Sequence, residues 1–232
     1  MKAKVIATAA VLATAAAATA DSVEMRFIDS GPSRVLTVEV DGEQSRLRVG
    51  QLNHEILSRS GPTAPRVGLL TTYCVDVTEW VTRQSETYHV SDLTDAPVVA
   101  GSDGMSQEAA DAIGRLYAHA DGRQFESDRN FSAAFQLAIW EVVADFDGST
   151  DGLDVDDGEF RAWGLNSGTR NHLVSLLDVA GDDSLRVNRR LRALTNDGAQ
   201  DQIFEVVIPL PTTGAMAAVG LAGAGLMARR RR

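Results

Sequence analysis

Cysteine is almost absent: Cys74 stands alone among 232 residues, which rules out an intrachain disulfide and a cysteine-based zinc site. Lysine is nearly as scarce, with none after Lys4, so every later basic residue is an arginine, whose guanidinium stays protonated and is a poor nucleophile. Lysine-based isopeptide crosslinks within the fold are thereby excluded. The four histidines, His54, His89, His119 and His172, are scattered without metal-ligand spacing. No glycine loop of the phosphate-binding or dinucleotide-binding kind is present. A cysteine-histidine hydrolase would have to use Cys74 with one of these histidines, yet the residues around Cys74 match no protease signature.

Both ends of the chain carry addresses. Lys2 and Lys4 precede the apolar stretch Val5 to Ala17, and Ala18-Thr19-Ala20 fits the small-x-small site of a secretory signal peptide cleaved before Asp21. At the other end, Ile208-Pro209-Leu210-Pro211-Thr212-Thr213-Gly214 leads into an apolar run from Gly214 to Ala228, closed by Arg229 to Arg232. A helix over that run would be about 22 Å long, against a hydrocarbon core of about 30 Å. It is long enough to engage a membrane and marginal as a permanent anchor, with the arginines on the cytoplasmic side. This tail resembles the PEP-CTERM sorting class read by exosortases in Gram-negative bacteria. It also contains Leu210-Pro211-Thr212-Thr213-Gly214, which is similar to the sortase signal of Gram-positive cell walls, with cleavage between Thr213 and Gly214. The short apolar segment that starts at once and ends in arginine favours the first resemblance; an unprocessed tail anchor is the third alternative.

The sequence therefore divides into a signal peptide (1–20), one domain (21–207) and a C-terminal sorting segment (208–232). All 32 acidic residues lie in the domain, whereas six of the 22 basic ones, Lys2, Lys4 and Arg229 to Arg232, lie in the signals, leaving the domain a net charge of −16. Nucleic acid and anionic lipid headgroups would be repelled by that balance. With no disulfide available, an exported domain must be stabilised by packing.

Alternating apolar and polar residues predict strands over Val23 to Ile28, Arg34 to Val40 and Ser45 to Val49, with Asp41-Gly42 as a hairpin turn. Val67 to Val77 continues the pattern and places Cys74 mid-strand, with Thr72 and Asp76 on its face. Tyr88 to Val90 reads as another strand, followed by an irregular stretch from Thr94 to Gly104. Ser106 is an N-cap for a helix over Gln107 to Ala120. The next helix, Phe131 to Ala144, is apolar nearly all round and must be buried. Asp145 to Glu159 carries seven acidic residues. Asp147, Ser149, Asp151 and Gly152 match the opening of an EF-hand loop, but its twelfth position is Gly158, so a solvated acidic loop is favoured over a calcium site. Helix signals return over Asn171 to Val179, and Leu191 to Leu194 with Gln202 to Val207 read as a closing hairpin across Asn196-Asp197-Gly198. These elements predict an α+β fold, mainly an antiparallel β-sandwich or barrel with an inserted helical subdomain.

The lone cysteine and one buried glutamine suggest a chemistry. A thiolate can attack a side-chain carboxamide, expel ammonia and leave an internal thioester, a stored electrophile that apolar walls keep from water. Tyr73-Cys74-Val75-Asp76 and Phe135-Gln136-Leu137-Ala138-Ile139-Trp140-Glu141 resemble the two motifs of thioester domains on bacterial surface adhesins. The likeness covers roughly Val67 to Asp145, with Phe135 standing where the family often has a small polar residue. The resemblance implies a Cys74–Gln136 thioester that captures an amine or hydroxyl of a host or matrix molecule once per protein, without enzymatic turnover. Helical spacing places Ser132, Ala133, Trp140 and Val143 beside Gln136, so Tyr73, Ser132, Ala133 and Trp140 are expected to form the thioester pocket. The absence of lysine suits a reactive acyl group, because no surface amine of a neighbouring copy could consume it; a base-composition bias explains the same absence. No cofactor or metal is expected. The expected partners are an exosortase-like or sortase-like enzyme, the membrane through the C-terminal helix, and a surface nucleophile. The alternative is a structural protein of the exopolysaccharide or surface layer in which Cys74 and Gln136 are merely packed.

Overall fold

The computed structural model describes residues 20–76, 78–97, 104–149 and 152–206. Residues 1–19 of the expected signal peptide, Val207 and the whole sorting segment 208–232, with its motif Pro209 to Gly214, lie outside the described residues. No helix among the described residues is long and apolar enough to cross a membrane.

Seven strands form one antiparallel sheet. Two long strands, β1 (Ser22–Val40) and β2 (Glu43–Ser60), make a hairpin through Asp41 and Gly42, both at positive φ (51° and 79°). That is the backbone an Asp-Gly pair adopts in a tight hairpin turn. The sequence pattern breaks at Asp29 to Ser33, but the strand does not. Register shifts between Phe27 and Asp29 and between Ser30 and Ser33 bend β1 and let pairing resume, which is how bulges absorb residues that do not alternate.

β3 (Gly68–Cys74) pairs with β2 and, at its end, with β7 (Gln202–Glu205). β7 pairs with β6 (Leu191–Thr195), β6 with β4 (Glu86–Ser91), and β4 with the start of β1. Pairing thus runs in a circuit, β1-β2-β3-β7-β6-β4 and back to β1. β5 (Phe160–Trp163), which the alternation pattern did not reveal, joins the far end of β1 at Thr37 to Val40. All six strands of the circuit contribute to one small core of Val23, Met25, Ile56, Leu70, Tyr88, Val90, Leu194 and Phe204.

Among the described residues, three α-helices stand between β4 and β6 in the chain. α1 (Gln107–Ala120) begins at Ser106, whose hydroxyl accepts from Ala109 N, as its capping signal predicts. α2 (Arg129–Asp145) begins at Asp128, whose carboxylate accepts from Asn130 N and Phe131 N. α3 (Ser167–Gly181) is capped by Asn166. α2 is buried continuously from Phe131 to Val142, packed against β1, β2, β5, α1 and α3 in the larger of the two cores. A helix that is apolar on every side has to sit at such a centre. Gln136 is therefore carried, fully buried, within the larger core.

Candidate functional site

β3 and β2 stay paired from Gly68↔Ile56 up to Thr72↔Leu52 and then part. Beyond Leu52, β2 swings toward β1 through Gly50, which sits at φ 144° with Pro32 O and Ser132 Oγ so close that a Cβ would meet them at 2.5 and 2.9 Å. In an antiparallel ladder every second residue points its N–H and C=O to the same neighbour. Val75 N bonds Asp201 O on the β7 side, so Cys74 turns its backbone groups toward the gap that β2 leaves. Gln136 fills that gap. Its Oε1 accepts from Cys74 N at 3.0 Å, and its Nε2 donates to Cys74 O at 2.9 Å. The carboxamide thus acts as a peptide group of a missing strand, and it brings Oε1 within 3.3 Å of Cys74 Sγ.

Both residues are shielded: Gln136 has no exposed surface and Cys74 is 3% exposed. Burial pushes the Cys74 thiol well above its ordinary range, and the charge of Asp76 adds to the rise; hydrogen bonding at the Cys74 backbone and the nearness of the Trp140 indole N–H act in the other direction. A free thiolate is therefore disfavoured here. A neutral thiol or an acylated sulfur suits the site, since neither requires a charge in apolar surroundings.

A cleft of about 180 Å3 reaches Cys74, Gln136 and Trp140 from the surface. Its walls include Phe27, Leu47, Leu52, Trp80 and Val81, with Glu79 and Arg48 as the charged members. Trp80 is 67% exposed and stands in the open. The Glu79 carboxyl is held above its usual range by partial burial and by the nearby charges of Asp76 and Asp197. The segment carrying these residues is shaped by Asp76, which accepts from Thr78 N at 2.9 Å, Glu79 N at 2.7 Å and Asp201 N at 3.2 Å.

Of the expected pocket residues, Trp140 lines the cleft with the pair, whereas Tyr73, Ser132 and Ala133 do not. Tyr73 OH donates to Gln124 O, and Ser132 Oγ accepts from Gln51 N at 3.1 Å and donates to Pro32 O at 2.6 Å. Ser132 thus ties α2 to the bend of β1 and β2, and Tyr73 ties β3 to the segment before α2. Ala133 is fully buried in the large core. Phe135, the residue before Gln136, packs edge-on against Tyr73 at 4.9 Å and Tyr117 at 5.0 Å, which fixes the rotation of α2.

None of the four histidines lines the cleft. His54 is buried elsewhere, pushed down to about 4 by burial. Asp145 is occupied by the backbone N–H groups of Glu159 and Phe160, and Asp147 by Ser149. Thr150 and Asp151 of the acidic loop lie outside the described residues. Among the described residues no group of three or more histidine, cysteine, aspartate or glutamate side chains is placed to hold a metal ion. Compared with known proteins, the chain matches no family model, no curated protein and no solved structure.

Proposed function

We propose that this chain is an exported surface protein whose Cys74 and Gln136 form an internal thioester for single-use covalent capture. The observation that carries this reading is the contact itself: the only sulfur nucleophile of the chain lies 3.3 Å from the oxygen of a buried carboxamide held rigidly by two further bonds. Rigid placement at van der Waals distance removes most of the entropy that a bimolecular attack would lose.

Bond formation joins Sγ to Cδ of Gln136, breaks the Cδ–Nε2 bond and transfers the thiol proton to the departing nitrogen, releasing ammonia. Cys74 N–H, already on Oε1, stabilises the negative charge that gathers there in the tetrahedral stage. Capture reverses the sulfur chemistry: an amine or hydroxyl entering by the cleft bonds to Cδ, the Cδ–Sγ bond breaks, and the proton of the nucleophile ends on sulfur. Each protein acts once, so the outcome is adhesion and not turnover. The apolar walls of the cleft favour this use by slowing hydrolysis.

The closed strand circuit is read as a small barrel, with the helices as the insertion that delivers Gln136. The signal peptide, the sorting tail and its exosortase-like or sortase-like processing complete the picture of a domain displayed at the cell surface or in the matrix. The domain's charge of −16 disfavours nucleic acid as its target.

A second reading has an observation of its own. Both polar atoms of Gln136 are satisfied by the Cys74 backbone, as in a structural glutamine that mends a strand edge. In that reading the chain is a non-reactive component of the surface layer. Peptide mapping after exposure to methylamine separates the two. The thioester reading expects methylamine on Gln136 alone and none in Cys74→Ala; an unmodified Gln136 in freshly prepared protein rejects it.

A further inference from the structure

We propose that the indole N–H of Trp140 is the hydrogen-bond donor that receives the Cys74 sulfur as the acyl bond between Cys74 and Gln136 opens. This assignment rests on the thioester reading and adds a device that controls the life of the bond. Trp140 stands one helical turn after Gln136 on α2 and lines the same cleft as both members of the pair. It is 3% exposed, and its Nε1 is buried with no hydrogen-bond partner. Buried donors are almost always paired, so an unpaired one beside reacting atoms points to a partner that arises in another state of the site. The ring packs against Phe160, at 5.9 Å between centroids.

Charge is what the other state supplies. With the thiol neutral, sulfur is a weak acceptor, and the indole lies near it without making a full hydrogen bond. When a nucleophile bonds to Cδ and the Cδ–Sγ electron pair leaves on sulfur, Sγ becomes a strong acceptor in a site where burial and Asp76 both oppose its charge. Trp140 lends the hydrogen bond and keeps its proton; the proton that neutralises Sγ comes from the nucleophile. Two donors then divide the work, Cys74 N–H on the oxygen of the tetrahedral stage and Trp140 N–H on the leaving sulfur.

The test replaces Trp140 in the full-length chain by its benzothiophene isostere, in which sulfur stands in place of the N–H, and compares it with Trp140→Phe and the wild type. Intact mass, the rate of methylamine incorporation and the titration of the released thiol are read on each, with the thermal midpoint as a check on folding. The expected result is an isostere chain that folds like the wild type, reacts with methylamine about tenfold or more slowly, and titrates its released thiol at higher pH. An isostere chain that folds but never loses ammonia also supports the assignment, because closing the bond passes through the same charge on sulfur. Equal rates and equal thiol titration in isostere and wild type overturn the role of Trp140 while leaving the thioester intact. A wild type that retains its full mass overturns the thioester and the Trp140 assignment together.

Discussion

Gln136 completes the sheet at Cys74: its carboxamide accepts from Cys74 N at 3.0 Å and donates to Cys74 O at 2.9 Å, at the point where β2 has left β3. The same two bonds that finish a strand edge hold an electrophilic carbon beside the only thiol of the chain. Strand mending and the proposed acyl chemistry would therefore share one side chain, and mutations separate them.

Cys74→Ala cannot close the thioester and keeps the Gln136 carboxamide with both of its bonds to the Cys74 backbone. In that background, replacing Gln136 by alanine strips partners from two buried backbone groups, and a further loss of about 3 kcal/mol of stability is expected from the unpaired groups alone. Urea unfolding of Cys74→Ala with and without Gln136→Ala checks the loss; equal stability of the two would contradict the strand-mending role.

Ser132→Ala should be costly in stability and silent in chemistry. It leaves Gln51 N and Pro32 O without their partner, for a loss of about 2 kcal/mol, while the Cys74–Gln136 bonds are untouched. The rate of methylamine incorporation should match that of the wild type under folding conditions. A slowed rate would return Ser132 to the pocket that helical spacing assigned it.

Stability should fall as pH rises from 6.5 to 8. Glu141, on α2 beside Trp140, has no exposed surface and no partner on either carboxylate oxygen. Burial, followed by the charges of Asp145 and Asp154, pushes it up to about 8. Asp201 is raised to about 7, chiefly by burial. The folded chain thus holds protons that the unfolded chain has released, and their contribution is lost as pH climbs toward these values. His54, pushed down to about 4, acts in the opposite sense only between there and its ordinary 6.5. Above 6.5 the carboxyl groups act unopposed, with a slope on the order of 1 kcal/mol per pH unit. Glu141→Gln should flatten that slope; an unchanged slope in the variant would remove Glu141 as its source.

Local signals were readable where one residue carries the whole cause. Asp41-Gly42 turns the long hairpin, Ser106 starts α1, and the all-round apolar run of α2 buries it. β1 was legible only as two pieces, because the bend at Asp29 to Ser33 is defined by what β2 does opposite it. β5 is four residues long after an acidic loop and has no period to read. At the site, residue chemistry pointed to Cys74 and Gln136, and the fold brings them together. Ser132 has the right helical spacing but a better hydrogen-bonding offer from the β1–β2 bend. Glu79 and Trp80 carry no motif. They reach the cleft because Asp76 folds the segment after β3, a tertiary event with no local signature.

Intact mass of freshly purified protein, set against Cys74→Ala, decides whether the thioester exists. The wild type should be lighter than its sequence by one ammonia, the variant should have its full mass, and the wild-type thiol should be unreactive until a nucleophile is added. Full mass with a titratable thiol in the wild type would contradict the thioester and leave Gln136 as the residue that mends the edge of β3.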